Sequence, residues 1–212
     1  MKLRILNYWM MGFMTLLVFS ACNDQTIKLI DKRYGENSTM TKKILVAYGS
    51  RAGSTIEVAD AIGKTLAAGG AAVDVKSVKD VKDIKIYQAI VLGSAIRKGQ
   101  ILPEVTSFVQ ANKTELQKLP VAYFIVGMTL RENTEEKRKI ANAYLDPLRT
   151  MINPVDTGLF AGKMDYSSLD FISKVIVKYL VRVPEGDYRD WTVIKNWATH
   201  LLPKLGIIKN QT

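Results

Sequence analysis

The 212-residue chain carries a single cysteine, Cys22, and a single histidine, His200. No disulfide can close within it, and a zinc site of Cys and His side chains has too few ligands. His200 lies in the apolar stretch WATHLL and reads as a helix-packing or surface histidine, so nucleophilic catalysis of the Cys-His or Ser-His kind finds no support. There is no internal repeat, no low-complexity tract and no basic run interleaved with aromatics, so nothing points to a nucleic-acid partner. What is present is a 48% hydrophobic composition, enough for one good core plus an N-terminal extension. Thirty Lys and Arg stand against 20 Asp and Glu, a net charge of +10, and the first 41 residues hold only five of the basic and three of the acidic groups. The excess therefore lies in the folded part, where it favours an anionic partner such as a lipid surface or a carboxylate-bearing substrate.

At the N-terminus, Lys2 and Arg4 precede an apolar run from Ile5 to Phe19. The sequence Val18-Phe19-Ser20-Ala21-Cys22 resembles a bacterial lipoprotein lipobox, with Phe19 where a smaller aliphatic residue is usual. The resemblance implies a signal peptide over residues 1–22, a lipid on Cys22 and a membrane-associated protein. Two other readings stand beside it: an uncleaved anchor, since the run is just short of the ~20 residues of a spanning helix, and a true start at Met40, which leaves the protein at the cytoplasmic face of the membrane. Residues 23–41 are polar and without sustained periodicity, and read as a tether to a folded domain over residues 42–206.

From Lys43 the pattern alternates between strand and helix. Ile44 to Tyr48 is apolar and partly β-branched, as suits a central parallel strand, and Thr55 to Ala68 places Ala59, Ile62 and Leu66 on one helical face, with Gly69-Gly70 as a stop. Strands follow at 72–77, 89–94, 121–127 and, interrupted by Gly158, 155–161. Val78, Val81 and Ile84 recur at every third residue, as in a short helical turn or a solvated connector. Pro103 suits the first position of a helix that buries Val105, Phe108 and Val109. Asn133 with Glu136 has capping-box spacing for the next helix, which Pro147 should end or bend. Five such strands imply a parallel sheet with right-handed crossovers, and ligands bind such sheets at the carboxyl edge. Loops 49–55, 95–100 and 128–132 lie at that edge.

The first of these loops carries a recognisable chemistry. Gly49-Ser50-Arg51-Ala52-Gly53-Ser54-Thr55 joins a buried strand to a helix and offers hydroxyls and a run of backbone amides, where unpaired N–H groups and the helix dipole favour an anion. It lacks the lysine of a P-loop, and no G-x-G-x-x-G fingerprint with a later acidic residue accompanies it, so a terminal monophosphate suits it better than a nucleotide polyphosphate or a dinucleotide. An ordinary Gly/Ser turn in a ligand-free sheet is the plain alternative.

With its strand spacing, the chain resembles the flavodoxin-like family from Lys43 to about Leu205. Four stretches resemble the flavodoxin-type, quinone-linked protoporphyrinogen IX dehydrogenases: ILVAYGSRAGST, VLGSAIRKG, the basic segment after the fifth strand, and EGDYRDWTVIKNWA. The resemblance implies an α/β, flavodoxin-like doubly wound five-stranded parallel sheet of order 2-1-3-4-5, with a basic helical insert after the fifth strand. It implies FMN as cofactor, its phosphate held by Ser50, Arg51, Ala52, Gly53, Ser54 and Thr55. Ser94, Ala95, Ile96, Arg97, Lys98 and Gly99, with Met128, Thr129 and Leu130, would border the isoalloxazine ring. Neither ring-bordering loop supplies the stacking aromatic usual in the family, which leaves Ile96 or Leu130 to cover a ring face. Arg97 and Lys98 would stabilise a reduced anionic flavin or attract an anionic substrate, or are simply solvated.

Over Leu169 to Val183, Phe171, Ile172, Val175, Ile176, Tyr179 and Leu180 share one helical face while Lys174, Lys178 and Arg182 line another. This is the pattern of a helix lying on an anionic membrane surface, or of a core helix with a solvated cationic stripe. The expected activity is that of an FMN-dependent oxidoreductase passing electrons from a small-molecule donor, protoporphyrinogen IX by resemblance, to a membrane quinone. The alternatives are a flavodoxin-type electron carrier and a membrane-tethered relative without enzymatic activity. No catalytic side chain and no metal ligand stand out.

Overall fold

A computed structural model describes residues 28–35, 42–168 and 184–207. The expected signal peptide with Cys22, and the basic segment with Lys174, Lys178 and Arg182, lie outside the described residues. The chain divides into two units, residues 1–26 with 165–184 and residues 27–164 with 185–212. In the first, Tyr166–Ser168 forms one 3-10 turn, with the Ser167 amide donating to Asp165 Oδ1 at 2.9 Å. The sheet and the helices that cover it belong to the second.

Its centre is a sheet of β1 (Asp31–Tyr34), β2 (Lys43–Gly49), β3 (Ala72–Ser77), β4 (Ala89–Arg97), β5 (Gln100–Ile101), β6 (Val121–Gly127) and β7 (Asp156–Ala161). The five long strands are parallel in the order β3-β2-β4-β6-β7, which is 2-1-3-4-5 in chain order. Val46 lies opposite both Val75 and Val91, and Val126 opposite Phe160. Side chains alternate across the sheet at every residue. Ile44, Val46 and Tyr48 of β2 and Phe124 of β6 enter one core with Ile62 and Leu66 of α1 (Ser54–Ala68) and Ile194, Ala198 and Leu201 of α6 (Trp191–Lys204). Leu45 and Ala47, with Tyr123 and Ile125, enter the other, against Val105, Phe108 and Val109 of α2 (Pro103–Ala111). Burial on both faces explains why these strands are apolar at consecutive positions.

The remaining helices are short: α3 (Lys113–Leu116), α4 (Glu135–Ala143) and α5 (Asp146–Arg149). Several expectations need revision. Within the span read as a tether, β1 pairs antiparallel with the edge strand β3, Asp31 opposite Lys76 and Tyr34 opposite Val73. Four polar residues make a strand here because side chains pin them: Lys32 and the Tyr34 hydroxyl both reach Asp60 of α1, and the Tyr48 hydroxyl accepts from Ile30 N at 2.7 Å and donates to Ile30 O at 2.9 Å. The cap of α4 is Thr134, whose hydroxyl accepts from Lys137 N at 3.2 Å, and not Asn133. That helix ends at Ala143, and Pro147 opens α5 instead. Val78 to Ile84 is a connector that begins with a turn over residues 78–80, as one of its two readings had it, with Val78 and Ile84 buried as anchors. Among the described residues no helix is long and apolar enough to cross a membrane.

Candidate functional site

The first loop sits at the carboxyl end of β2, and each of its small residues has a steric reason. A Cβ on Gly49 would lie 2.5 Å from Val105 Cγ2, so α2 packs directly on the backbone there. Gly53 has φ +84, a left-handed conformation that side chains resist, and it turns the chain into α1. The Ser50 hydroxyl accepts from Gly53 N at 3.2 Å and closes the loop on itself. Gly53 O accepts from Ile56 N at 2.9 Å and Glu57 N at 3.3 Å, yet no side chain caps the helix. Ser54 is drawn elsewhere: its hydroxyl accepts from Lys163 N at 3.1 Å. The amides of Arg51, Ala52, Ser54 and Thr55 consequently find no acceptor among the described residues. Four such amides at a helix N-terminus, beside the buried hydroxyl-bearing Ser50 and Thr55, are a donor set that a phosphate monoester fits. Arg51 is committed differently, forming a two-point ion pair with Glu104 in the first turn of α2, Nη2 to Oε2 at 2.8 Å.

The second loop is not a loop. β4 runs on to Arg97 and returns as β5, with Ile96 opposite Ile101 and Arg97 opposite Gln100. Lys98 at φ 52 and Gly99 at φ 73 make the two-residue turn, with the pair of positive φ values of a type I′ hairpin. Ser94 is buried inside this hairpin, its hydroxyl accepting from Leu102 N at 3.1 Å and donating to Ala95 O at 2.8 Å, so its side chain braces the hairpin. Ala95 and Ile96 are half-buried, whereas Arg97, Lys98 and Gly99 project into solvent. Ile96 leans on the third loop, since a Cβ on Gly127 would lie 3.1 Å from Ile96 Cβ.

The third loop is a 3-10 turn, Met128–Arg131. Met128 and Thr129 are half-buried, but Leu130 is 4% exposed and belongs to the second core, so of Ile96 and Leu130 it is Ile96 that is left accessible to a ring. Two contacts tie the three loops together. Gly162 lies between the first and third, a Cβ there falling 3.6 Å from Ser54 Oγ and 3.7 Å from Met128 Sδ. Tyr144 lies between the second and third, with its hydroxyl 3.4 Å from Thr129 Oγ1 and its Cε1 3.7 Å from a Cβ on Gly99. An aromatic is therefore present beside both ring-bordering segments, delivered by the end of α4 and not by either loop. Loop spacing gave no sign of it.

Sequence reading also missed Arg189. Its guanidinium, 3% exposed, grips Asp187 at two points (2.7 and 2.6 Å), lies 3.0 Å from Glu57 in the first turn of α1, and stacks 4.5 Å over the Trp191 ring. Hydrogen bonds from Arg189 hold the Asp187 carboxyl below its ordinary range, although partial burial works the other way. The short ladder of β8 (Lys163–Met164) with β9 (Gly186–Asp187) is thereby clamped beside Ser54. Among the described residues no group of three His, Cys, Asp or Glu side chains is placed to hold a metal.

A family model described as a flavodoxin domain matches residues 45–190. The protein named protoporphyrinogen IX dehydrogenase [quinone] of Leishmania major is 26% identical over 176 residues, covering 76% of this chain and 75% of that one. The Escherichia coli protein of the same name is 23% identical over 172 residues, covering 75% of this chain and 94% of its own. Among solved structures, a flavodiiron core from Synechocystis superposes with a TM-score of 0.50 at 13% identity over 81% of this chain and 38% of that chain. A flavodoxin from the domain Archaea does so with a TM-score of 0.48 at 21% identity, over 77% and 99% respectively.

Proposed function

The chain belongs to the flavodoxin domain family, and on that premise we propose that it takes electrons from a small organic donor, protoporphyrinogen IX or a close chemical relative, and passes them to a membrane quinone. Its cofactor is FMN. The observation that carries the reading is the set of four amides, of Arg51, Ala52, Ser54 and Thr55, that find no acceptor among the described residues around the left-handed turn at Gly53. When bound, FMN supplies the redox chemistry, and the chain supplies position and charge.

In this reading the first loop holds the phosphate without a metal, while Glu104 keeps the Arg51 guanidinium beside it. Ile96, Met128 and Thr129 border the ring, and Tyr144 fixes the distance between the two segments that carry them. Arg97 and Lys98, held out on the hairpin turn, place positive charge where a reduced flavin or an acidic donor gathers negative charge. The cationic excess of the whole chain supports an acidic small molecule and a membrane surface as partners. We place the protein at that surface through a lipid on Cys22 and through Lys174, Lys178 and Arg182. Incorporation of labelled palmitate that disappears in Cys22→Ser supports this location, and an unlabelled wild-type chain removes it.

The test of the activity is the absorption spectrum of the purified full chain after incubation with FMN and gel filtration. A retained flavin band that bleaches with protoporphyrinogen IX and recovers on adding a quinone is the expected result. A retained band that the porphyrinogen leaves untouched removes the donor but keeps the flavoprotein, and no retained band removes both.

A further inference from the structure

A cleft opens between the third loop and the start of α6. It encloses about 230 Å³. Its floor is apolar: Leu130 and Phe160, each 4% exposed, continue into Val193, which is 48% exposed on the first turn of α6. Its rim carries Arg131, Arg138 and the half-buried Tyr188.

The two rim arginines differ from the arginines that brace the fold. Arg51 and Arg189 each meet a carboxylate at two points, one guanidinium nitrogen to each carboxylate oxygen. Arg131 instead directs Nε and Nη2 at the same oxygen of Glu132, at 3.2 and 3.0 Å, leaving Nη1 without an acceptor among the described residues. Arg138 has a neutral partner, with Nη1 3.2 Å from Asn133 Oδ1. The carboxylate in the cleft wall, Asp190, forms no ion pair with them among the described residues, and its Oδ1 accepts from the amides of Thr192 and Val193 at 2.9 and 3.0 Å as the cap of α6. Guanidinium donors that no carboxylate among the described residues grips at two points thus stand beside an apolar floor that opens at Val193, and next to the segment assigned to the flavin ring.

We propose that this cleft is a subsite for the acidic edge of the electron donor, binding a carboxylate borne on an apolar ring: Arg131 and Arg138 take the carboxylate while Phe160 and Val193 take the ring. The volume suits one substituted edge of a large ring system and not the whole of it. The proposal rests on the function given above, in that it assigns the cleft to the donor of that reaction.

The experiment titrates the FMN-incubated full chain with protoporphyrin IX and with its dimethyl ester, following the porphyrin Soret band. The free acid is expected to bind about tenfold more tightly than the ester, the size of one lost charge-assisted hydrogen-bond set. In R131Q/R138Q the acid should weaken to the level of the ester, while the retained flavin band and the thermal midpoint stay at their wild-type values and certify the fold. Equal affinity for acid and ester in the wild type, or an unchanged acid affinity in the double variant, overturns the subsite. Its failure is distinct from failure of the flavin reading: arginine-dependent porphyrin binding by a chain that retains no FMN upholds the subsite and removes the oxidoreductase, and a flavin-loaded chain indifferent to the arginines does the reverse.

Discussion

The first loop and the β4–β5 hairpin lie at the same edge of the sheet, yet they are built on opposite principles. The loop is closed by its own hydrogen bond, packed under α2, and has its one cation locked to Glu104. The hairpin is anchored at its base, by buried Ser94 and the pairing of Ile96 with Ile101, and meets Tyr144 at Gly99, while its cations Arg97 and Lys98 stand in solvent. A cradle for a fixed charge must be pre-formed, because donors that have to be ordered on binding lose affinity to that ordering. A rim that meets exchanging molecules has no such constraint. Substitutions in the first should therefore cost stability and cofactor together, and those in the second should leave stability alone.

The strongest test of this contrast is Gly49→Ala. Its new Cβ meets Val105, a buried β-branched side chain with little room to rotate, so α2 must shift by tenths of an ångström. We expect a loss of about 3 kcal/mol, at the upper end of overpacking effects, with FMN retention abolished, read by urea unfolding and by gel filtration of the flavin band. An intact fold with bound FMN would show that the loop adapts. Tyr144→Ala comes next, at about 2 kcal/mol for a half-buried aromatic. It should loosen the spacing between hairpin and third loop and broaden the flavin spectrum, whereas Tyr144→Phe, which loses only a 3.4 Å contact, should behave as wild type.

How legible each region was follows from where its information is stored. The inner parallel strands β2, β4 and β6 are buried on both faces, so they announce themselves as unbroken apolar runs. The first loop was readable because its two glycines and its hydroxyls lie in one contiguous stretch between strand and helix. The hairpin was not, since two residue pairs closed by Lys98-Gly99 leave no periodicity, and the turn is specified by backbone angles. β1 was hidden for a different reason. A four-residue polar edge strand is held by Asp60, Lys76 and Tyr48, which are distant in the chain. Tyr144 touches residues 15 and 45 positions away, and no local pattern encodes such a meeting.

Smaller effects sharpen the contrast further. Arg51→Gln removes a half-buried ion pair and should cost about 1 kcal/mol while weakening FMN several-fold, as measured by flavin fluorescence. Acid should act on the same region. Because Arg189 holds Asp187 below the ordinary aspartate value of 3.8, the clamp's contribution is complete above that value and is lost as the pH falls through the lower folded one. Hydrogen exchange should then rise first at Lys163 and the first turn of α1, with residues 95–101 unchanged. Equal responses in both regions would remove the distinction.

The smallest effect belongs to the hairpin tip. Lys98 is the one non-glycine among the described residues with positive φ, at 52, a conformation that costs an L side chain about 1 kcal/mol. Lys98→Gly relieves that strain but loosens the unfolded chain, and the two terms nearly cancel. The expected change in stability is within about 0.5 kcal/mol, with FMN retained as in wild type. What should change is the charge the tip presents: the flavin midpoint potential or the affinity for an acidic donor shifts, and Lys98→Arg restores it. If the glycine variant instead loses FMN, the tip is part of the cradle, and the two regions share one principle after all.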